Sequence, residues 1–456
     1  MGAAFAALVA FEIVIGTGVI NTRPYLLLLP VLVVAIVVAQ KLPKTVEYEP
    51  LLWLVFALTV KVGLSTGTES KIPVSLLFVA AWGAAWLGKM ALGHRINFAR
   101  ISSNWPSLFF LTLVAFSLVW GRFQIDPQII IPDKFINVQL GTIGVTVLSV
   151  ALFILCLNLV RRVSTVKAVY MILLFGSLYY LPLFLTQTRV PINVETRGLF
   201  PLWFCSISLS LLLNQRQMPR WQRFLIALAL VGWIFRLFVV TLVRISSWLP
   251  ALIGMLVILF LYSRKWFLVV CLVGGILVVL NYQLLFQAIV VAKEEEGTLA
   301  GQTSRESLWA QAYLVAQDHL VLGTGPAGYA NYYLTYFRDH ALSTHNNYLD
   351  VLLQYGLLGI GAFLWLCYSL FNETWKSIRV HEAGSFEKAF SIGCFGGICG
   401  MLPAMWLGDW VIPFAYNQTI SGFDYTGLNW FFIGLGLSLS YHKIHQTSIP
   451  PAPVNN

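Results

Sequence analysis

One histidine and a few arginines have side chains suited to chemistry on hydroxyl and phosphate groups. His345 stands directly before a long apolar run that begins at Asn347. An imidazole accepts or donates a proton near neutral pH, so His345 is a candidate general base. The sequence His345-Asn346-Asn347 also fits the start of a helix, with Asn346 or Asn347 as its cap. The residues alone leave both interpretations open.

Five arginines are candidates for binding an anion. Arg244 lies between two apolar runs, and Arg305 opens the helical part of a long polar segment. A guanidinium group matches two phosphate oxygens with a pair of parallel hydrogen bonds. Such arginines also lie at membrane interfaces without binding anything, which is the alternative for each. Arg236 lies inside an apolar run, where a charge needs a partner or a function. Arg189 and Arg197 form a weaker candidate cluster.

The composition of the chain indicates a membrane protein. Of its 456 residues, 58% are hydrophobic and 11% are charged, whereas soluble domains carry about 25% charged residues. The net charge of +10 does not indicate nucleic-acid binding, because the Lys and Arg residues lie in short loops, where they set membrane orientation. The six Cys residues lie within apolar runs and show neither a disulfide framework nor zinc spacing.

Hydrophobic runs predict many membrane-spanning helices. A bilayer core about 30 Å thick requires about 20 apolar residues in a helix. The candidate spans are 3–20, 24–40, 50–64, 73–92, 106–121, 141–160, 166–185, 198–213, 224–242, 247–263, 266–288, 347–371, 389–408 and 426–441. We therefore predict an all-α integral membrane protein with about 12–14 transmembrane helices.

The distribution of positive charge predicts the orientation of these helices. The larger share of the 29 Lys and Arg residues lies in one set of alternate loops, which should face the cytoplasm. Both termini are then cytoplasmic. We divide the chain into N-terminal transmembrane helices (1–288), an outer loop (289–346), C-terminal transmembrane helices (347–441) and a disordered cytoplasmic tail (442–456). The first apolar run has no basic residue before it and no cleavage site behind it, so it is predicted to be a retained helix.

The outer loop is predicted to contain a helix and a glycine turn. Thr303 and Glu306 have the spacing of a capping box, and apolar residues recur at helical spacing from Leu308 to Val315. The sequence Gly323-Thr-Gly325-Pro-Ala-Gly328 then follows. A dinucleotide-binding glycine motif follows a strand and opens a helix. Since this one follows a predicted helix, we interpret it as a tight turn.

In combination, these motifs resemble the O-antigen ligase family of membrane glycosyltransferases. One stretch contains Arg305-x3-Trp309-Ala310, Leu322-Gly323-x-Gly325-Pro-x-Gly328, His345-Asn346-x2-Leu349 and Gly356-Leu357-Leu358-Gly359. The other is Arg244-Ile-Ser-Ser-Trp248-Leu-x-Ala251, which is similar to the Arg-containing helix start of that family.

The resemblance implies a fold, a location and a reaction. It implies a type-C glycosyltransferase-like fold with a large helical periplasmic loop, in the bacterial inner membrane. The donor would be a glycan linked through pyrophosphate to a polyprenol, typically undecaprenol, and the acceptor a glycan or glycolipid in surface polysaccharide or lipopolysaccharide biosynthesis. His345 would be the base, and Arg244 and Arg305 would bind the pyrophosphate. No cofactor or metal is implied, and the sequence contains no Asp-x-Asp pair.

Other functions remain open at this point. A repeat-unit polysaccharide polymerase and a protein O-oligosaccharyltransferase share the same chemistry, because acceptor choice depends on variable outer loops. A small-anion transporter, for example for bicarbonate, would be a different class, since arginines lining a cavity would suit it too. Transporters often show paired broken helices in two halves of the chain, and the sequence shows no such pair.

Overall fold

The computed structural model confirms an all-α integral membrane protein. It describes residues 55, 63–65, 71–92, 98–133, 135–185, 198–242, 244–283, 286–287, 290, 305–337 and 342–447. Seven of the described helices are long and apolar enough to cross a membrane. The predicted spans 3–20 and 24–40, and most of 50–64, lie outside the described residues, so the total number of spans stays a prediction.

The described elements are a short hairpin and fourteen helices, numbered here in chain order. The antiparallel strands are β1 (Gly63–Ser65) and β2 (Lys71–Pro73). The helices are α1 (Val74–Leu92), α2 (Asn104–Phe123), α3 (Phe135–Leu159), α4 (Val163–Leu185), α5 (Phe200–Asn214), α6 (Arg220–Phe235), α7 (Ile245–Tyr262), α8 (Arg264–Leu280), α9 (Arg305–Asp318), α10 (Tyr329–Tyr336), α11 (Asn347–Val380), α12 (Phe386–Ala404), α13 (Ala415–Gln418) and α14 (Phe423–Thr447). A π-helical turn (Arg236–Val240) follows α6. Helix α14 extends to Thr447, beyond the predicted end of the last span at 441. Residues 442–447 of the predicted tail are therefore helical.

Glycines on α12 allow α5, α7 and α12 to pack closely. A Cβ on Gly393 would lie 2.6 Å from the Cα of Ile207, and one on Gly400 would lie 2.3 Å from the carbonyl oxygen of Pro250. Small residues permit this close approach between helices in membranes. Because Gly400 is near the end of α12 and Pro250 is near the start of α7, the two helices are antiparallel. The residues before α7 therefore lie at the end of the bundle where α12 finishes.

The two ends of the helix bundle differ in charge. At one end, which we call the basic end, Lys443 lies 3.8 Å from Glu382, and Lys167 lies over the ring of Phe386. We call the other end the site end. It contains the start of α7, helices α9 and α10, and the segment 405–422 that joins α12 to α14.

Helix α11 is broken at Gly356, a feature that the sequence analysis did not predict. Gly356 has φ +67°, outside helical geometry. Backbone groups freed by the break pair with the segment 320–325 instead. The hydrogen bonds run from Leu357 N to Leu320 O (2.7 Å), from Leu358 N to Val321 O (3.3 Å), from Thr324 N to Leu353 O (2.8 Å) and from Gly325 N to Gln354 O (3.0 Å). The inserted segment thus satisfies donors and acceptors that a helix end normally leaves unpaired.

The glycine-rich turn packs into this break in α11. Gly323 has φ +70°, and a Cβ on it would lie 2.4 Å from the carbonyl carbon of Gln354. A Cβ on Gly356 would lie 2.3 Å from the carbonyl carbon of Val321. At Gly323 and at Gly356, the backbone of the opposite segment is so close that only a hydrogen atom fits in place of a side chain. The contact joins the segment that follows α9 to the middle of α11.

Candidate functional site

His345 has an unusual backbone conformation directly before α11. Its φ is +51°, in the left-handed region that few residues other than glycine adopt. Such conformations cost about 1–3 kcal/mol and are concentrated at functional sites. The backbone N–H of His345 donates to Ser343 Oγ at 3.1 Å, which helps to hold the turn. The imidazole itself is half-buried.

The asparagines after His345 form the helix start that the sequence suggested. Asn346 Oδ1 accepts from the backbone N–H groups of Tyr348 (3.0 Å) and Leu349 (3.3 Å), so Asn346 is the cap. Asn347 Nδ2 donates to the carbonyl oxygen of Ile412 at 2.6 Å, which ties the helix start to the segment after α12. Both side chains are therefore occupied structurally, and the imidazole of His345 is not part of the cap.

The contacts of Ser343 favour one tautomer of His345. Ser343 Oγ donates its one proton to Asp409 Oδ2 at 2.6 Å. His345 Nδ1 lies 3.4 Å from the same Ser343 Oγ, which can then only accept. A hydrogen bond between these two atoms has Nδ1 as its donor, and that tautomer leaves the lone pair on Nε2. Such a lone pair is what a general base requires.

Ser343 and Asp409 are site residues that the sequence analysis missed. Asp409 is 2% exposed, and its Oδ2 also accepts from Gln418 Nε2 at 3.2 Å. The two residues are far apart in the chain, so no local motif joins them. One signal was present: Asp409 is an isolated acid beside an apolar run, and such residues usually have a function.

Arg305 and His345 lie against the same piece of chain. Arg305 Nη1 donates to the carbonyl oxygen of Leu407 at 3.4 Å, two residues before Asp409. One helical turn along α9, Trp309 Nε1 donates to the carbonyl oxygen of Thr344 at 2.9 Å. The segment 405–412 is thus contacted by Arg305 and also by residues on both sides of His345, Ser343 through Asp409 and Asn347 through Ile412.

Arg244 lies at the same end of the bundle but on a different helix. It is exposed and precedes α7, where its carbonyl oxygen accepts from Ser247 N at 2.9 Å. Within the described part of the chain, no hydrogen bond holds its guanidinium group. Helix α7 begins beside the end of α12, so the arginine faces the site end. The structure shows no hydrogen bond between Arg244 and either Arg305 or His345.

Arg236 is held by aromatic rings within the membrane. Its guanidinium carbon lies 4.8 Å from the ring centre of Trp233 and 5.5 Å from that of Tyr180. These cation–π contacts offset part of the cost of burial. Arg236 also starts the π-helical turn, a feature that often marks functional positions. Arg189 and Arg197 lie outside the described residues.

The fold and the site together define a polytopic α-helical membrane protein with an imidazole and guanidinium groups at one end of its bundle. No cluster of three or more metal-ligating side chains occurs among the described residues. Residues 228–364 match the family model described as O-antigen ligase, which confirms the resemblance seen in the motifs. The match includes Arg244, Arg305 and His345 and ends before Asp409. It supports an enzyme of the surface-polysaccharide ligase and polymerase kind. No curated protein matches the chain.

Proposed function

We propose that this protein transfers a glycan from a polyprenyl pyrophosphate, such as undecaprenyl pyrophosphate, to an acceptor hydroxyl group at the outer face of the bacterial inner membrane. The observation that carries the proposal is that Arg305 and the residues flanking His345 all contact the segment 405–412. A guanidinium group for phosphate and an imidazole with a free Nε2 are the two groups that this reaction needs.

The reaction follows from the chemistry of these groups. His345 Nε2 removes the proton of the acceptor hydroxyl, and the oxygen attacks the anomeric carbon of the donor. The bond from that carbon to the diphosphate oxygen breaks, and its electron pair leaves with the polyprenyl diphosphate. Attack opposite the leaving group inverts the anomeric centre. The imidazolium of His345 then returns its proton to water. A positioned general base contributes about 10²–10⁴-fold to the rate.

Arg305 and Arg244 supply positive charge to the leaving diphosphate. Guanidinium groups bind phosphate oxygens through two parallel hydrogen bonds, and fixed charges of this kind stabilise the charge that develops in a transition state. Arg305 contacts Leu407 of the segment 405–412, whereas Arg244 directly precedes α7. The two arginines are proposed to bind the diphosphate from two sides.

The charge of the two bundle ends supports an outward-facing site. Loops rich in Lys and Arg remain in the cytoplasm, and these residues surround the basic end. The site end would then face the periplasm, where lipid-linked glycans are used after export. Both termini are proposed to be cytoplasmic.

Purified protein tests this function and identifies the acceptor. It is incubated with a labelled polyprenyl-pyrophosphate glycan and three acceptors in turn: a glycolipid, a second lipid-linked glycan, and a polypeptide rich in Ser and Thr. We expect the label on the glycolipid, as for a ligase. Label on the second lipid-linked glycan would make the protein a polymerase, and label on the polypeptide a protein glycosyltransferase. No transfer to any acceptor, together with bicarbonate uptake into proteoliposomes, would overturn the proposal.

A further inference from the structure

Two buried carboxyl groups lie against each other behind His345. Asp350, in the first turn of α11, is 3% exposed, and Asp409 is 2% exposed. Asp350 accepts from Thr344 and Asp409 accepts from the neighbouring Ser343, so adjacent residues of one turn bind the two carboxyl groups, which interact electrostatically. Asp350 Oδ2 and Asp409 Oδ1 receive no N–H or other O–H from the described residues. These two oxygens are therefore the ones available to bond to each other.

A hydrogen bond between two carboxyl groups requires one proton, because ionised carboxylates only accept. The other two oxygens of the pair already have donors. Asp350 Oδ1 accepts from Thr344 Oγ1 at 2.7 Å and from Thr344 N at 3.3 Å. Asp409 Oδ2 accepts from Ser343 Oγ and Gln418 Nε2. With one shared proton, every oxygen of the pair has a partner and only one negative charge is buried.

The surroundings of the two acids differ. Asp350 lies among neutral donors, because its Oδ1 accepts from the hydroxyl group and the backbone N–H of Thr344. Asp409 lies two residues from Leu407, whose carbonyl oxygen accepts from the guanidinium group of Arg305. Positive charge favours the ionised form of a neighbouring carboxyl group. The anion of the pair therefore belongs on Asp409.

We propose that Asp350 is a neutral acid that donates to Asp409, and that the Asp409 anion acts through Ser343 as a positioning residue for His345. The anion orients the Ser343 hydroxyl, the hydroxyl accepts from His345 Nδ1, and Nε2 stays free to take a proton. The same anion stabilises the imidazolium once it forms. This inference rests on the proposed function, because it assigns a role to groups behind the proposed base.

Isosteric variants separate the two acids. In Asp350→Asn the amide N–H replaces the acid O–H and still donates to Asp409, so kcat should fall by no more than about threefold. Asp350→Leu has no donor at this position, so its kcat should fall much further than that of Asp350→Asn. Asp409→Asn removes the anion, so kcat should fall about 10²–10⁴-fold with little change in KM for the donor.

Infrared spectroscopy provides a readout that does not depend on activity. The carbonyl stretch of a protonated carboxylic acid lies apart from the amide bands. The wild-type protein at neutral pH should show such a band, Asp350→Asn should remove it, and His345→Gln should keep it. Should Asp409→Asn fail to fold, Ser343→Ala replaces it: its kcat should fall while the infrared band remains.

Several results would overturn the assignment. In the kinetic measurements, these are a kcat that falls equally in Asp350→Asn and Asp409→Asn, a kcat that falls further in Asp350→Asn, or a normal kcat in Ser343→Ala. In the infrared measurements, it is a wild-type spectrum without an acid band that Asp350→Asn removes. A fully active His345→Gln variant would instead contradict the proposed function, while the infrared result would still report on the carboxyl pair.

Discussion

At the scale of single residues, the site depends on groups whose orientation is fixed by neighbours far away in the chain. His345 has a left-handed backbone, and its ring Nδ1 lies 3.4 Å from the hydroxyl oxygen of Ser343. The position of Arg305 depends on Trp309, which binds the residue before His345. Residues of the outer-loop helix α9 and of the segment after α12 therefore both position the side chains of the site.

Arg305→Gln should weaken use of the lipid donor. A hydrogen bond to a charged group contributes about 1.5–3 kcal/mol, so KM for the donor should rise by about 10- to 100-fold. Steady-state kinetics at several donor concentrations measure this. Arg122→Gln is the matched control, because Arg122 is an exposed arginine at the end of α2. Equal donor KM values in the two variants would remove Arg305 from the phosphate-binding role.

The sequence singled out His345 and Arg305 as candidates because each stands at the edge of a recognisable helix pattern, and the role of each stays a prediction. It correctly suggested a cap at Asn346, and the structure shows that this cap and a candidate base occur side by side. It did not reveal Ser343 or Asp409, because their contact joins segments that no motif links. The roles of Arg244 and Arg236 stay predictions, since the structure gives each a position and no substrate contact.

At the scale of elements, the broken helix α11 is the main structural device. Its break receives the glycine turn, and this contact connects the helix that carries Arg305 to the helix that follows His345. The sequence analysis predicted both the turn and the span. It did not predict the break, because hydropathy measures the length of an apolar run and contains no information on its backbone continuity.

Gly356→Ala should destabilise the protein by at least about 2 kcal/mol. The alanine would be strained at this positive φ, and its Cβ would clash with backbone atoms. Its Cβ would lie 2.3 Å from the carbonyl carbon of Val321. Gly361→Ala is the control, because nothing lies within 4 Å of a Cβ there; alanine should be neutral or slightly stabilising in that helix. Thermal unfolding in detergent compares the two. Equal melting temperatures would show that the break does not need a glycine.

The junction of α11, α12 and α14 at the basic end should be sensitive to acid. Burial, with a smaller contribution from Lys443, lowers the pKa of His381 to about 4, and its Nε2 lies 3.2 Å from Ser440 Oγ. The unfolded chain binds a proton at this residue at higher pH than the folded protein. Stability should therefore fall as pH decreases from about 6.5 towards the folded value.

Melting temperatures at pH 7 and pH 5 test this expectation. His381→Asn should reduce the loss of melting temperature between these pH values by roughly 2–4 °C relative to the wild type. An identical pH dependence in the variant and the wild type would show that His381 does not contribute.

At the scale of the whole molecule, hydropathy predicted the fold class, and seven of the described helices are long and apolar enough to cross a membrane. The orientation deduced from the alternation of basic loops stays a prediction. Close packing around α12 was not predictable, because the glycines of α12 meet partners on α5 and α7 that sequence spacing alone does not specify.

The orientation in the membrane has a direct test. Gln128 is exposed beyond the end of α2 at the site end, and Glu382 is exposed at the basic end. In a Cys271→Ser background, Gln128→Cys should react with a membrane-impermeant maleimide added to spheroplasts, and Glu382→Cys should react only after the membrane is opened. The reverse pattern would place the site in the cytoplasm.

The most direct test of the central claim compares product formation by wild-type and His345→Gln proteins in proteoliposomes. Both polyprenyl diphosphate and glycosylated acceptor are measured over time. We expect equal amounts of the two products from the wild type, a rate about 10²–10⁴-fold lower for His345→Gln, and a near-normal rate for His319→Gln, whose ring packs against Tyr332. A folded His345→Gln protein as fast as the wild type, or diphosphate release without acceptor glycosylation, would contradict the account.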